Sequence, residues 1–112
     1  MKMLGVIAVL AAAIITFSPL ANPAHAADGK DVFQTNCLMC HGATGAGNEQ
    51  LAKAFKIEPS RLDLTKHEMK TKSEAELAAT VKTGKGRMPA FGNKLSDADI
   101  KAVVQFIKSL SK

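Results

Sequence analysis

Cys37-Leu38-Met39-Cys40-His41 is the segment of this chain best equipped for chemistry, and it holds both cysteines of the sequence. Two thiols three residues apart on a helical turn can each add to one of the two vinyl groups of a porphyrin. An imidazole directly after the second thiol then projects toward the ring centre, where its neutral nitrogen can bind iron. This is the C-x-x-C-H spacing of covalent c-type haem attachment. Three other arrangements compete for the same residues. A thioredoxin-like Cys-x-x-Cys needs a βαβ context, and no strand-like alternation surrounds this one. A structural zinc site needs four ligands, and His67 is the one further histidine downstream of His41. A plain disulfide leaves His41 without a role. Haem attachment uses all three side chains.

The elements that must hold this segment read as helices. Asp28 to Met39 is predicted as the first, with Gly29, Phe33 and Cys37 four apart along one face. The glycine-rich run Gly42 to Asn48 breaks it and, lacking the Lys-Ser/Thr ending of a phosphate loop, reads as a tight chain reversal. Leu51 to Lys56 is a short helix, ended before Pro59. Ser73 with Glu76 is a capping box opening a helix that buries Leu77, Ala78 and Val81 and stops at Gly84. An irregular loop, Lys85 to Gly92, follows. Ser96 with Asp99 caps the last helix, whose Ile100, Val103, Val104, Ile107 and Leu110 form one apolar face. No segment alternates with period two and no internal repeat is present, so the domain is expected to be all-α.

The first 26 residues carry the pattern of a secretory signal peptide: Lys2, an apolar run from Met3 to Phe17, and the small-x-small signature Ala24-His25-Ala26. The run is shorter than the roughly 20 residues of a spanning helix; an uncleaved anchor is the other reading of it. Cleavage after Ala26 leaves residues 27–112 as one domain without stable membrane insertion, expected in the periplasm, where haem attachment of this type takes place. That domain is small enough to be marginal without a staple. It has no Trp or Tyr and four Phe, so a covalently fixed porphyrin would supply missing apolar contact. Its charge is basic, with 12 Lys, 2 Arg and 10 acidic residues. There is no Arg-rich stripe and no interleaved aromatics, which argues against nucleic acid; the charge suits steering toward an acidic partner.

Four features together resemble the class I (monohaem, His/Met-ligated) c-type cytochromes of bacterial periplasmic type, over essentially all of residues 27–112. They are Cys37-x-x-Cys40-His41; the Gly29/Phe33/Cys37 ladder; Gly84-Lys85-Gly86-Arg87-Met88-Pro89-Ala90-Phe91-Gly92; and Leu95-Ser96-Asp97-Ala98-Asp99-Ile100 leading into a helix ending Phe106-Ile107-Lys108-Ser109-Leu110. The resemblance implies a small cytochrome c fold. About four helices would wrap round one haem c, with the N- and C-terminal helices crossing. It makes Cys37 and Cys40 the thioether residues and His41 and Met88 the axial iron ligands. Many members carry Tyr or Trp where this chain has Phe106, a change that ring packing tolerates. The resemblance also implies a carbonyl partner for the His41 Nδ1–H, for which Pro59 is the nearest downstream proline.

Met88 lies 47 residues past His41, far enough for the chain to reach the other face of a porphyrin. Gly84, Gly86 and Gly92 let the backbone lie close to it, and Pro89 restricts the loop beyond. The rivals are Met69 and His67, both in a polar stretch, and an open site; Met39, between the cysteines, cannot reach the opposite face. Two strong protein ligands leave no position for substrate, so the expected function is a one-electron carrier between larger redox proteins, not an enzyme. It would act as a monomer, with Lys30, Lys53, Lys82, Lys85, Lys94 and Arg87 guiding brief, salt-sensitive docking on acidic surfaces. The alternatives are a haem subunit of one dehydrogenase or oxidase, and a five-coordinate sensor or peroxidase-like protein.

Overall fold

The computed structural model describes Gly5, residues 11–14 and residues 28–112. The cleavage signature Ala24-His25-Ala26 and most of the apolar run before it lie outside the described residues. The helices are α1 (Gly29–Asn36), α2 (Leu38–His41), α3 (Glu49–Phe55), α4 (Glu68–Thr71), α5 (Glu74–Thr83) and α6 (Asp97–Leu110), with a 3₁₀ turn over Pro59–Leu62 between α3 and α4. Among the described residues there is no strand, and one isolated bridge joins Lys85 and Met88. The architecture is the all-α one expected.

The longer helices form where local chemistry demands them. Both capping boxes are present. Glu76 N–H donates to Ser73 Oγ at 3.1 Å while Ser73 N–H donates to Glu76 Oε2 at 3.2 Å. Asp99 N–H donates to Ser96 Oγ at 3.1 Å, with Ser96 N–H returning to Asp99 Oδ2 at 3.4 Å. These exchanges satisfy donors that a helix start otherwise leaves bare.

The helix predicted from Asp28 to Met39 is instead two, divided at Cys37, whose backbone is widened to φ −115° and ψ −25°. Cys37 N–H still donates to Phe33 O at 2.8 Å, and Asn36 Nδ2 donates back to the Val32 carbonyl at 2.9 Å within the last turns of α1. The break, together with the single turn α4 in a stretch that reads as merely polar, raises the expected four helices to six among the described residues.

Packing is organised by α1 lying across α6. Phe33, Val103 and Val104 are the largest fully buried side chains. A Cβ on Gly29 would lie 2.2 Å from the Ala102 carbonyl oxygen, so only glycine allows this approach. The Phe33 and Phe106 rings meet at 5.3 Å and 54°, a tilted packing that needs no hydroxyl. Leu77 and Val81 of α5 join the same core with Ile100 and Ile107.

Candidate functional site

The loops between helices enclose a cavity of about 940 Å³ lined by Cys37, Cys40, His41 and Met88 together. Its size is at the upper end of the roughly 300–1,000 Å³ of small-molecule and cofactor sites. Much of the remaining wall is apolar, including Phe55, Ile57, Leu64, Leu77 and Phe91. A smaller groove of about 290 Å³ between α5 and α6, lined by Ala75, Ala78, Ala79, Ile100 and Val104 among others, has no Cys, His or Met on its wall.

Cys37 is buried, Cys40 half-buried, and no disulfide joins them. Burial, with a smaller contribution from neighbouring Cys40, pushes the Cys37 thiol up to about 11. Among the described residues no three His, Cys, Asp or Glu side chains converge as a metal cluster, so the zinc arrangement has no ligand set.

His41 Nδ1 stands 2.8 Å from the Leu62 carbonyl oxygen. A carbonyl only accepts, so Nδ1 carries the proton and Nε2 keeps its lone pair for a metal. The partner is thus Leu62 and not Pro59. The 3₁₀ turn explains the choice, since its last carbonyls lack partners within the turn and Leu62 closes it.

The glycine-rich reversal docks against this turn. Gly47 has φ +102°, and a Cβ there would lie 3.2 Å from the Pro59 carbonyl oxygen and 3.3 Å from Leu62 Cβ. The reversal also caps the attachment segment: Gly47 N–H donates to His41 O at 2.7 Å, Asn48 N–H to Cys40 O at 3.1 Å, and Asn48 Nδ2 to Met39 O at 2.8 Å. Asn48 is a residue sequence reasoning passed over. Its signal was available, because an Asn directly before Glu49-Gln50 is a preferred helix N-cap, and its Oδ1 accepts from Leu51 N–H at 3.2 Å.

Met88 is held in a tight reversal in which Lys85 and Met88 exchange backbone hydrogen bonds of 3.1 and 3.0 Å. Gly84, at φ +74°, passes so close that a Cβ would lie 2.6 Å from the Met88 carbonyl oxygen. Beyond it, Phe91 N–H and Gly92 N–H donate to Val81 O and Lys82 O at 3.0 and 3.1 Å. Of the rivals, Met69 is buried on α4 and also lines the cavity, whereas His67 is exposed and does not. Met39 stands at the rim, 75% exposed.

Cations dominate the cavity's charged lining: Arg61, Lys66, Lys72, Lys85, Arg87 and Lys94 face only Asp63 and Glu68. Of the residues expected around the edge, Lys85, Lys94 and Arg87 are there. Lys30, Lys53 and Lys82 are not on its wall, and Lys82 pairs with Asp97 at 3.2 Å. The Asp63 carboxyl is held below the usual range, first by the Thr65 hydroxyl at 2.6 Å and then by the Thr65 N–H at 2.8 Å, with Lys66 and Lys112 adding to it.

Two thiols at porphyrin-vinyl spacing, an imidazole with its proton committed elsewhere, a thioether and a large apolar cavity form a donor set suited to a haem. Comparisons with known proteins agree. Residues 24–107 match the family model described as Cytochrome C oxidase, cbb3-type, subunit III. Cytochrome c6 of Picosynechococcus sp. is 37% identical over 107 residues, covering 95% of this chain and 91% of that protein. The Cbb3-type cytochrome c oxidase subunit FixP of Bradyrhizobium diazoefficiens is 35% identical over 86 residues, covering 76% of this chain but 27% of that protein. The KustC0563 c-type cytochrome shares the fold, with a TM-score of 0.65 at 22% identity over 77% of this chain and 100% of that one. The chain belongs to this cytochrome c family and is a monohaem class I c-type cytochrome. It carries covalently bound haem c and is a small electron-transfer protein.

Proposed function

We propose that the chain is a periplasmic one-electron carrier in which Cys37 and Cys40 form the thioether links and His41 and Met88 are the axial iron ligands. The observation that carries this reading is the meeting of all four side chains on one cavity wall, with the His41 Nδ1–H already committed to Leu62. When bound, the haem supplies reversible one-electron chemistry at iron. The protein's part is to hold the imidazole tautomer, present a soft thioether that favours ferrous iron, and exclude water with an apolar wall. With both axial positions occupied by protein the molecule is a carrier and not an enzyme.

The pattern Lys2, Met3 to Phe17 and Ala24-His25-Ala26 supports export and cleavage after Ala26, leaving residues 27–112 as the working domain. The cationic cavity lining supports brief docking of a monomer on acidic donor and acceptor surfaces through a small interface. Optical spectra of the wild type and Met88→Ala test the ligand set. The oxidised wild type should show the weak far-red sulfur-to-iron band and the variant should lack it; a band that persists in the variant transfers the role to Met69.

A second reading, a dedicated haem subunit of an oxidase, is favoured by the family description and by the Bradyrhizobium relative. Native size separates the two: a carrier runs alone, and a subunit migrates with a large membrane complex.

A further inference from the structure

The loop that presents Met88 is tied by its backbone to one side of the cavity only. Gly84 N–H donates to Thr80 O at 2.8 Å, Phe91 and Gly92 donate to the last turns of α5, and Lys85 and Met88 bond to each other. None of these bonds reaches the wall formed by α3. A side-chain contact does, made by the residue next to Met88: the Arg87 guanidinium carbon lies 4.8 Å from the centroid of the Phe55 ring. Both residues line the cavity. Arg87 has no carboxylate partner among the described residues, whose ion pairs are Lys66–Glu68 and Lys82–Asp97. Phe55 is a firm anchor. It is the last residue of α3, and the turn after it is fixed by Lys56 N–H to Lys53 O at 3.1 Å and Ile57 N–H to Ala52 O at 3.0 Å.

We infer that Arg87 and Phe55 form a cation–π clasp that fastens the Met88 loop across the cavity to α3, making both of them positioning residues for the sulfur ligand. The inference rests on the reading of Met88 as that ligand. A guanidinium stacked on a ring suits this task because it spans a gap between two elements without a buried charge partner. Loosening the clasp leaves the fold's helix crossing untouched and raises the fraction of time in which the loop is open.

Carbon monoxide reports that fraction, because it binds reduced iron only when the thioether has left. An exposed cation–π contact of about 0.5–1 kcal/mol corresponds to roughly a two- to fivefold change in an equilibrium. Arg87→Gln and Phe55→Leu should therefore each speed carbon monoxide uptake by the reduced holoprotein about two- to fivefold. The double variant should be no faster than the faster single one, and Phe55→Tyr, which keeps the ring face, should behave as wild type. Unchanged rates in both single variants, effects that multiply in the double variant, or a Phe55→Tyr as fast as Phe55→Leu would overturn the clasp. If the oxidised wild type lacks the far-red sulfur–iron band, the ligand reading itself fails and the clasp with it; a normal band with unchanged rates sinks the clasp alone.

Discussion

The imidazole of His41 is oriented by a carbonyl 21 residues further along the chain, and on the proposed ligand reading that hydrogen bond raises its basicity toward the iron. Gly47 is what lets the two segments meet, since its φ is +102° and its missing Cβ leaves room for the Pro59 carbonyl. Gly47→Ala should push the 59–62 turn away, cost about 1–3 kcal/mol through backbone strain, and raise the reduction potential because a less basic imidazole favours ferric iron less. A redox titration showing an unchanged or lower potential would remove this bond from the control of the iron. Asp63, next to Leu62, tests the same turn by pH. Its carboxyl pKa is lowered in the folded chain, so its stabilisation is complete above the ordinary value of about 3.9 and is lost as pH falls through the lower folded value. Denaturant midpoints taken from about pH 5 down to about pH 2 should therefore fall more for wild type than for Asp63→Asn. The difference should stay under about 1 kcal/mol, since the group is only half-buried; parallel curves would contradict it. At this scale the sequence was legible where chemistry is carried by side-chain type: Cys37, Cys40, His41 and Met88 all reach one cavity. The Leu62 carbonyl was not, because every residue has a carbonyl and only the path of the turn selects one.

Among the elements, α5 and α6 could be read with their caps in place because a capping box is decided within four residues. The break at Cys37 and the one-turn α4 could not. The first is a change of backbone angle at Cys37 that no residue type marks. The second places Met69 in a core that no local pattern announces. The crossing of α1 and α6 lies between these cases: its Gly29/Phe33/Cys37 ladder is visible in sequence, and its tightness is visible only in the 2.2 Å that a Gly29 Cβ would have from the Ala102 carbonyl oxygen. Backbone cannot yield as a flexible side chain can, so Gly29→Ala should force the helices apart and lower the unfolding free energy by about 1–3 kcal/mol. Urea unfolding measures it as a shifted midpoint with an unchanged slope; a midpoint within error of wild type would mean that the crossing has slack.

Across the whole molecule, much of the core is also cavity wall: Cys37, Met69, Leu77, Val81, Phe91 and Ile107 belong to both. The thin aromatic content noted in the sequence is thus matched by a core built around a prosthetic group. The cationic lining shares that cavity with Cys37, Cys40, His41 and Met88, and the groove on the α5–α6 side has none of these four. On the proposed carrier reading, this lining is a loading dock that donor and acceptor share. Donor and acceptor must take turns at it, so each must leave before the other can arrive, and a partner that grips too well throttles the traffic. Throughput with both partners present should then be capped by the slower departure. Adding a redox-silent copy of the donor should slow delivery to the acceptor in proportion to its occupancy; delivery unaffected by a saturating silent donor would mean that a second dock exists.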